Sequence, residues 1–251
     1  MVLYFKCSPL DLDEEQILDY LHVLKSKNKT PSESFFKHTV YGLRYLYRIY
    51  DLETKRIVLP EIKRSNKLPV VLSQNEVKQI LKTPKLLKHR LILALLYGCG
   101  LRCFELRNLQ LKDLDFDRKT LHVRQGKGRK DRYVPLSAIL IRGLTRYIAA
   151  EHPGQWVFNG NDKTGKAVPL STRGVQWVVR EAKKHSGIAK EISSHSFRHS
   201  YATHLLEMGL DIMSIKDLLG HADIQTTLVY LHVAQLGRQK PFSPLDRLYS
   251  E

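Results

Sequence analysis

The sequence predicts a mostly helical protein of two domains, the second of which contains one small antiparallel β-sheet. Three observations support this fold class. Apolar side chains recur at helical spacing along most of the 251 residues. A basic segment with two prolines separates the first two helical patterns from the others. Residues 113–135 differ from both parts, because they contain short runs of β-prone residues separated by turn-like segments.

The first domain contains two amphipathic helical patterns. One apolar stripe is formed by Ile17, Leu18, Leu21 and Leu24, and a second by Phe35, Phe36, Val40, Leu43, Tyr47 and Tyr50. Each stripe lies on one face of a helix, so we expect a short helical domain over residues 1–58. Residues 59–72 are expected to form an extended basic linker, residues 73–235 the second domain, and residues 236–251 a C-terminal tail.

The second domain is predicted to combine helices with the sheet. Ser73 and Glu76 match the capping box that begins a helix. Further helices are predicted over residues 85–97, 137–151, 171–185, 197–208, 211–219 and 223–230. The sheet is predicted from "LDFD", "TLHVR" and "RYVPL", with Gly126, Lys127 and Gly128 at one of its turns.

The charge of the chain indicates a polyanionic partner. Lysine and arginine number 41 against 25 acidic residues, which gives a formal net charge of +16. Residues 1–60 contain 9 basic and 8 acidic residues, so nearly all of the excess follows Pro60. A solvated basic surface is the alternative explanation. Double-stranded DNA is the partner that we expect from this charge together with the motifs described below.

Cysteine usage and apolar runs bear on the compartment. The three cysteines, Cys7, Cys99 and Cys103, provide no disulfide framework and indicate a reducing environment. The longest purely apolar run, Leu91 to Tyr97, is too short to span a bilayer, and the first residues lack the apolar stretch of a signal peptide. We therefore expect a cytoplasmic protein that is not attached to a membrane.

The stretch "SHSFRHSYATH" concentrates three histidines and an arginine within eleven positions. His195 and His199 have the i, i+4 spacing of a helical zinc pair, but Arg198 shares their face and would repel the cation. The glutamate that a hydrolytic HExxH helix needs is replaced by Ser196. A phosphate would accept hydrogen bonds from all of these groups. Because no GxxxxGK[ST] or GxGxxG loop occurs, the phosphate of a nucleic-acid backbone is the favoured ligand, with no metal or cofactor.

Three segments in a fixed order carry a family resemblance. They are "LLYGCGLRCFEL", "VRQGKGRKDRYVPL" and "SSHSFRHSYATHLLEMGLDIMSIKDLLGHADIQTTLVYLHV". The region from about Leu68 to Val233 resembles the tyrosine recombinase (phage integrase) family, especially its Xer-type and integron-type members. The resemblance implies a short helical DNA-binding domain followed by an α+β catalytic domain. It also implies site-specific cleavage and rejoining of DNA through a 3′-phosphotyrosine intermediate, without metal or ATP.

The resemblance also assigns roles to single residues. The matched catalytic positions are Arg102, Lys127, His195, Arg198, His221 and the nucleophile Tyr230, with Glu105 in a supporting position. Two arginines suit this chemistry because they can clamp the two non-bridging oxygens on which charge develops. His195 is the candidate base, and Lys127 is the candidate proton donor to the leaving 5′-oxygen. His199 and His204 are expected to be structural.

Each of these residues also has a simpler interpretation. Arg102 and Glu105 can form a surface ion pair, and Lys127 can be a solvated hairpin lysine. His221 can help to cap a helix, and Tyr230 can be a core aromatic. The alternative functions are a catalytically silent DNA-binding regulator of a mobile element, a monomeric type IB topoisomerase and a zinc hydrolase.

Further DNA contacts are predicted outside the catalytic cluster. A helix capped by Ser171 carries Arg173, Gln176 and Arg180, which suit base edges or phosphates, although a merely amphipathic helix fits the same pattern. The linker residues Lys63, Arg64 and Lys67 are expected to contact phosphates. The resemblance implies monomers in solution, homotetramers on paired DNA sites, a tail that docks on a neighbouring subunit, and an accessory protein as a further candidate partner.

Overall fold

A computed structural model describes residues 1–26, 32–61, 68–124, 131–161, 165 and 167–234. The chain forms two compact units, Met1–Asn66 and Lys67–Glu251. The division falls inside the segment 59–72 for which we expected a linker. The DNA contacts proposed at Lys63, Arg64 and Lys67 lie outside the described residues, as does Lys127.

The first unit is helical. Its helices are α1 (Val2–Phe5), α2 (Glu14–Ser26), α3 (Ser32–Ile49) and α4 (Glu53–Val58). The two predicted helical patterns are confirmed as α2 and α3, which bury Ile17 and Leu21 against Val40 and Tyr47. The predicted stripes are wrong in part, because the side chains at their edges are exposed rather than buried. These are Leu18, Phe35 and Tyr50.

The first helices of the second unit enclose its main core. They are α5 (Gln74–Lys82), α6 (Leu87–Gly98) and α7 (Cys103–Arg107). The capping box is confirmed at the start of α5: the Ser73 hydroxyl accepts from the Glu76 backbone amide at 3.2 Å, and the Glu76 carboxylate accepts from the Ser73 amide at 2.7 Å. Helix α6 buries five of its residues, all between Leu91 and Leu96. Among the described helices, none is long and apolar enough to cross a membrane.

The sheet predicted for residues 113–135 is confirmed. It follows a 3-10 turn (Leu111–Asp113) and contains β1 (Leu114–Asp115), β2 (Thr120–Val123) and β3 (Arg132–Pro135) in antiparallel order β1-β2-β3. Strand alternation places Leu121 opposite Val134, and both are buried. Arg132 shares the buried face of β3 with Val134. Residues 125–130, which contain the predicted turn, lie outside the described residues.

A second hairpin follows helix α8 (Ala138–Glu151). It pairs β4 (Asn159–Asn161) with β5 (Ala167–Pro169) in antiparallel register. The sequence did not predict it, because Asn159, Gly160 and Asn161 are residue types that occur rarely in strands. The hairpin leads into α9 (Thr172–Ser186), which begins where the Ser171 hydroxyl accepts from the Gly174 amide at 2.9 Å.

The final helices carry most of the residues predicted to be catalytic. They are α10 (Ser194–Glu207), α11 (Ile212–Leu219) and α12 (Gln225–Leu228), followed by a 3-10 turn (Val229–His232). Helix α10 is buried on nearly all sides, and α11 ends at Gly220 in the left-handed conformation with φ of +61°. The helix predicted over residues 223–230 is shorter than expected, and Tyr230 lies in the 3-10 turn. The predicted fold class, mostly helical with a small antiparallel sheet, is confirmed.

Helix α11 begins at Asp211, whose carboxylate accepts from the backbone amides of Met213 and Ser214, each at 2.9 Å. We predict that Asp211→Ala lowers the free energy of unfolding, because it leaves these amides without that acceptor. Urea unfolding followed by tryptophan fluorescence measures this, since Trp156 and Trp177 both lie in the second unit. Asp217→Ala, on the same helix, is the control and should change the value by less than about 0.5 kcal/mol. An equal decrease in the free energy of unfolding in the two variants would contradict the capping role of Asp211.

Candidate active site

The approach of Gly100 to helix α10 brings the loop before α7 close to the site. Gly100 has a φ of +58°, and a Cβ atom built there would lie 2.5 Å from the ring of Tyr201. Only glycine fits this conformation and this contact without strain. The Gly100 carbonyl accepts a hydrogen bond from the Arg198 guanidinium at 2.6 Å. The loop therefore places Arg102, two residues later, near Arg198.

The Glu105 carboxylate lies among three arginine side chains. Its Oε1 accepts from Nη1 of Arg102 at 2.7 Å and from Nη1 of Arg132 at 2.9 Å. Its Oε2 accepts from Nη2 of Arg132 at 2.8 Å and from the backbone amide of Arg102 at 2.8 Å. Nη1 of Arg198 lies 3.9 Å from the same oxygen. The Glu105 side chain is only 3% exposed, so these are contacts in a buried site.

The same three arginines contact the C-terminal end of helix α11. They donate to three consecutive backbone carbonyls, in the pairs Arg132–Leu218 (2.7 Å), Arg198–Leu219 and Arg102–Gly220 (3.4 Å). The last carbonyls of a helix have no partner within the helix and carry its partial negative charge. The helix end thus provides a second acceptor of negative character for the same arginines. His221 follows it directly in the chain.

Charge governs the protonation of this cluster. Burial raises the pKa of Glu105, but the hydrogen bond and the charge of Arg132 outweigh it and lower the pKa to about 2. Burial, and then the charge of Arg102, lower the pKa of Arg198 to about 9. At neutral pH the carboxylate is ionised and the guanidinium is protonated. The site therefore holds three cations against one carboxylate and can attract a further anion.

Tyr230 lies beside two imidazole rings. It is 1% exposed, and its hydroxyl lies 3.1 Å from Nδ1 of His199. The ring of His221 stacks on the tyrosine ring with an interplanar angle of 15° and a centroid separation of 6.5 Å. Nδ1 of His221 lies 2.9 Å from the hydroxyl of buried Thr227. The threonine therefore sets the orientation of His221.

Both of these histidines are neutral at pH 7. Burial, with the nearby His195 and Arg198, lowers the pKa of His199 to about 4. Burial, with Arg198 and then Arg102, lowers the pKa of His221 to about 3. Burial also raises the pKa of the Tyr230 phenol, although the two arginines oppose that effect. The free protein therefore holds a neutral phenol against a neutral imidazole.

The structure brings together most of the residues predicted to be catalytic. The assembled residues are Arg102, Glu105, Arg198, His221 and Tyr230. His195 is exposed at the start of α10, with its ring 6.4 Å from that of His199. His204 is buried and contacts the Tyr97 hydroxyl at 2.9 Å, as a structural histidine would. The purely structural role expected for His199 does not describe its position, because it contacts the hydroxyl of Tyr230.

A groove of about 770 Å³ lies next to the cluster. Arg102 and His195 line it, together with Gln176 and Arg180 from α9. Arg173 is exposed on the same helix but is not among the lining residues. Val175, Val178 and Val179 face the core, so α9 is amphipathic and directs a polar face to solvent.

Three further residues contact the cluster and were not placed there by the sequence analysis: Arg132, His199 and Thr227. The alternation of β3 places Arg132 on the same face as Val134, which signals a buried arginine in need of a carboxylate. The i, i+4 spacing of His195 and His199 places both rings on one face of α10 but does not show which of them contacts the tyrosine. No sequence signal identifies Thr227.

The imidazoles were also candidate zinc ligands. Within the described ranges, no group of three or more His, Cys, Asp or Glu side chains is placed to hold a metal ion. The neighbours of the His195 and His199 pair include Arg198, which lies between them in the chain and carries a positive charge.

The site thus combines arginine side chains with a neutral tyrosine that lies beside two imidazoles. Such a site can bind an oxyanion through the arginines and offer it the tyrosine hydroxyl. The chain belongs to the phage integrase family, which matches residues 70–236. Tyrosine recombinase XerA of Thermococcus kodakarensis is 38% identical over 227 residues, covering 89% of this chain and 78% of that protein.

Solved structures share the fold. A crystal structure of XerA recombinase matches with a TM-score of 0.61 at 27% identity, over 93% of this chain and 84% of that one. A crystal structure of XerH recombinase bound to palindromic difH substrate, a post-cleavage complex, matches with a TM-score of 0.70 at 22% identity, over 91% of this chain and 71% of that one. The mostly helical fold described above is thus shared with solved recombinase structures.

We predict that Glu105→Gln lowers the free energy of unfolding by about 3 kcal/mol at pH 7, because it leaves buried Arg132 and Arg198, and half-buried Arg102, without their carboxylate. The folded-state pKa is depressed, so this stabilisation is complete above about pH 5 and is lost as the pH falls towards 2. Urea unfolding of the wild type and of Glu105→Gln across this range should show that the difference between their free energies of unfolding shrinks as the pH falls.

Glu191→Gln is the matched control, since that carboxylate is 90% exposed and pairs with Lys183 at the surface. Its effect should stay below about 0.5 kcal/mol. A Glu105→Gln loss that is equally small, or that does not depend on pH, would contradict the role of the carboxylate.

Proposed function

We propose that this protein is a site-specific DNA recombinase that cleaves and rejoins strands through a 3′-phosphotyrosine intermediate. The observation that carries the proposal is the assembly of Arg102 and Arg198 around one carboxylate, next to the buried hydroxyl of Tyr230. Membership of the phage integrase family supports the same conclusion.

The arginines provide the electrostatic part of the reaction. Arg102 and Arg198 would contact the two non-bridging oxygens of the scissile phosphate, and His221 would donate a further hydrogen bond. Charge develops on these oxygens in the transition state, and preorganised donors in a buried site stabilise it strongly. One such arginine contributes about 10³–10⁵ in rate in comparable phosphoryl transfers. Glu105 positions the arginines and does not contact the DNA.

Tyr230 provides the covalent part. Its hydroxyl oxygen attacks the phosphorus, and the 5′-oxygen leaves with a proton from a general acid, for which Lys127 remains the predicted donor. His195, in the adjacent groove, remains the base predicted from the sequence. The phosphotyrosine ester keeps the energy of the broken bond, so a 5′-hydroxyl can reverse the step without ATP or another cofactor.

The proposed partner is double-stranded DNA, which the net charge of +16 favours. Gln176 and Arg180 in the groove, together with exposed Arg173, are the candidate contacts of α9. Residues 1–58, within the unit Met1–Asn66, are the proposed DNA-binding domain. The segment 59–72, with Lys63, Arg64 and Lys67, is proposed as the linker that contacts phosphates. We further propose a cytoplasmic monomer that assembles into tetramers on paired sites, with the tail 236–251 docked on a neighbouring subunit.

The first test detects the covalent intermediate. The purified protein is incubated in EDTA with DNA from either side of its own gene and quenched with SDS. We expect an SDS-stable protein–DNA adduct with the wild type and none with Tyr230→Phe, because the variant lacks the attacking oxygen. DNA binding by both proteins without any adduct would instead favour a silent DNA-binding regulator. An adduct with supercoil relaxation but no exchange between two labelled duplexes would favour a topoisomerase.

A second test separates binding from chemistry. Arg198→Lys keeps the charge but loses the planar fork that holds the Gly100 and Leu219 carbonyls, so adduct formation at saturating DNA should slow by about 10³-fold or more. Arg180→Ala, in the groove, should weaken DNA binding and reduce its salt dependence while leaving the saturated rate unchanged. The two rates come from quenched time courses. Equal rate losses in both variants would contradict this division of roles.

A further inference from the structure

We infer that His199, rather than His195, accepts the proton of Tyr230 during strand cleavage. This inference rests on the proposed function. It concerns the one step of that reaction for which the contacts in the structure and the base chosen from the sequence differ.

The contact itself is direct. The Tyr230 hydroxyl and Nδ1 of His199 are 3.1 Å apart, and their ring centroids are separated by 5.7 Å. The distance is that of a hydrogen bond, as required between a general base and the proton that it removes. In the described part of the chain, His195 makes no hydrogen bond to the tyrosine. Its side chain is exposed in the groove instead.

The protonation state of His199 suits a base. The low pKa of about 4 leaves the imidazole neutral, so Nδ1 can accept from the phenol when the ring proton lies on Nε2. The charged and titratable groups around His199 are His195 and Arg198 on its own helix, His221 from the end of α11, and Tyr230 from the 3-10 turn.

Substrate would strengthen this base. The charge of Arg198 is one of the causes that keep His199 neutral. A phosphodiester bound between Arg102 and Arg198 brings a negative charge that offsets these cations and stabilises an imidazolium ion nearby. The imidazole thus becomes a better proton acceptor when the DNA is in place.

Proton transfer from Tyr230 accompanies the exchange of bonds at phosphorus. The O–H bond of Tyr230 breaks, and its proton moves to Nδ1 of His199. The freed electron pair forms the bond from the tyrosine oxygen to phosphorus, and the bond from phosphorus to the 5′-oxygen breaks. The leaving oxygen takes a proton from the general acid. On rejoining, His199 returns its proton to the tyrosine oxygen as that oxygen leaves.

The experiment measures adduct formation on saturating nicked DNA between pH 6 and pH 10, with His199→Gln and His195→Gln as a pair one helical turn apart. His199→Gln should slow the reaction by about 10²–10⁴-fold at pH 7. The loss should shrink about tenfold per pH unit, because the phenol ionises without help as the pH rises. His195→Gln should reduce the rate of adduct formation by a smaller factor, and raising the pH should not restore that rate.

Three controls distinguish a chemical role of His199 from other causes of a lower rate. His185→Gln removes a surface histidine of α9 and should behave as wild type. His199→Ala with added imidazole should regain rate if the side chain acts chemically, even where the variant is less stable. A substrate with sulfur in place of the leaving 5′-oxygen needs no general acid, so the loss in His199→Gln should persist on it.

The inference is overturned if His199→Gln reacts like wild type, if its loss does not depend on pH, or if the sulfur substrate restores its rate. A wild type that forms no adduct would defeat the proposed function itself, and the inference with it. An adduct from the wild type together with an unaffected His199→Gln would defeat the inference alone.

Discussion

The bidentate ion pair between Glu105 and Arg132 is the interaction on which the site depends. It joins strand β3 to helix α7 in the core of the second unit, and the same carboxylate accepts from Arg102. Without a carboxylate there, three guanidinium groups would face one another in a buried space, where unpaired charge costs several kcal/mol. The ion pair therefore permits a concentration of positive charge that the core would otherwise exclude.

The end of helix α11 contacts the same three arginines. Its last carbonyls accept from all three arginines, so the helix is held in place by the groups that would bind the phosphate. Gly220 ends the helix, and the chain then presents His221 against Tyr230. Protein acceptors thus satisfy the arginines only in part, since one carboxylate and four backbone carbonyls oppose three full charges. The remaining positive potential attracts a phosphodiester, but Arg198 is 3% and Tyr230 1% exposed, so both side chains must become accessible before it binds.

Much of this fold could be predicted from local signals. The capping box at Ser73, the helices after it and the three-strand sheet all depend on residues close in sequence. The motif spacings likewise identified Arg102, Arg198, His221 and Tyr230. The pairing of Arg132 with Glu105 could not be predicted from the sequence, because these residues are 27 positions apart and only the fold brings them together. Helical spacing places His195 and His199 on one face of α10, so the sequence alone could not show which of them contacts the Tyr230 hydroxyl.

A crystal structure of Tyr230→Phe with an intact DNA site tests the central claim most directly, namely that the arginine cluster is assembled before substrate arrives. The account predicts that the non-bridging oxygens of the scissile phosphate lie between Arg102 and Arg198. It also predicts that the contacts from Arg132 to Glu105 and to the Leu218 carbonyl stay within hydrogen-bond distance. A phosphate bound elsewhere, or a complex in which Glu105 has released Arg132, would contradict it.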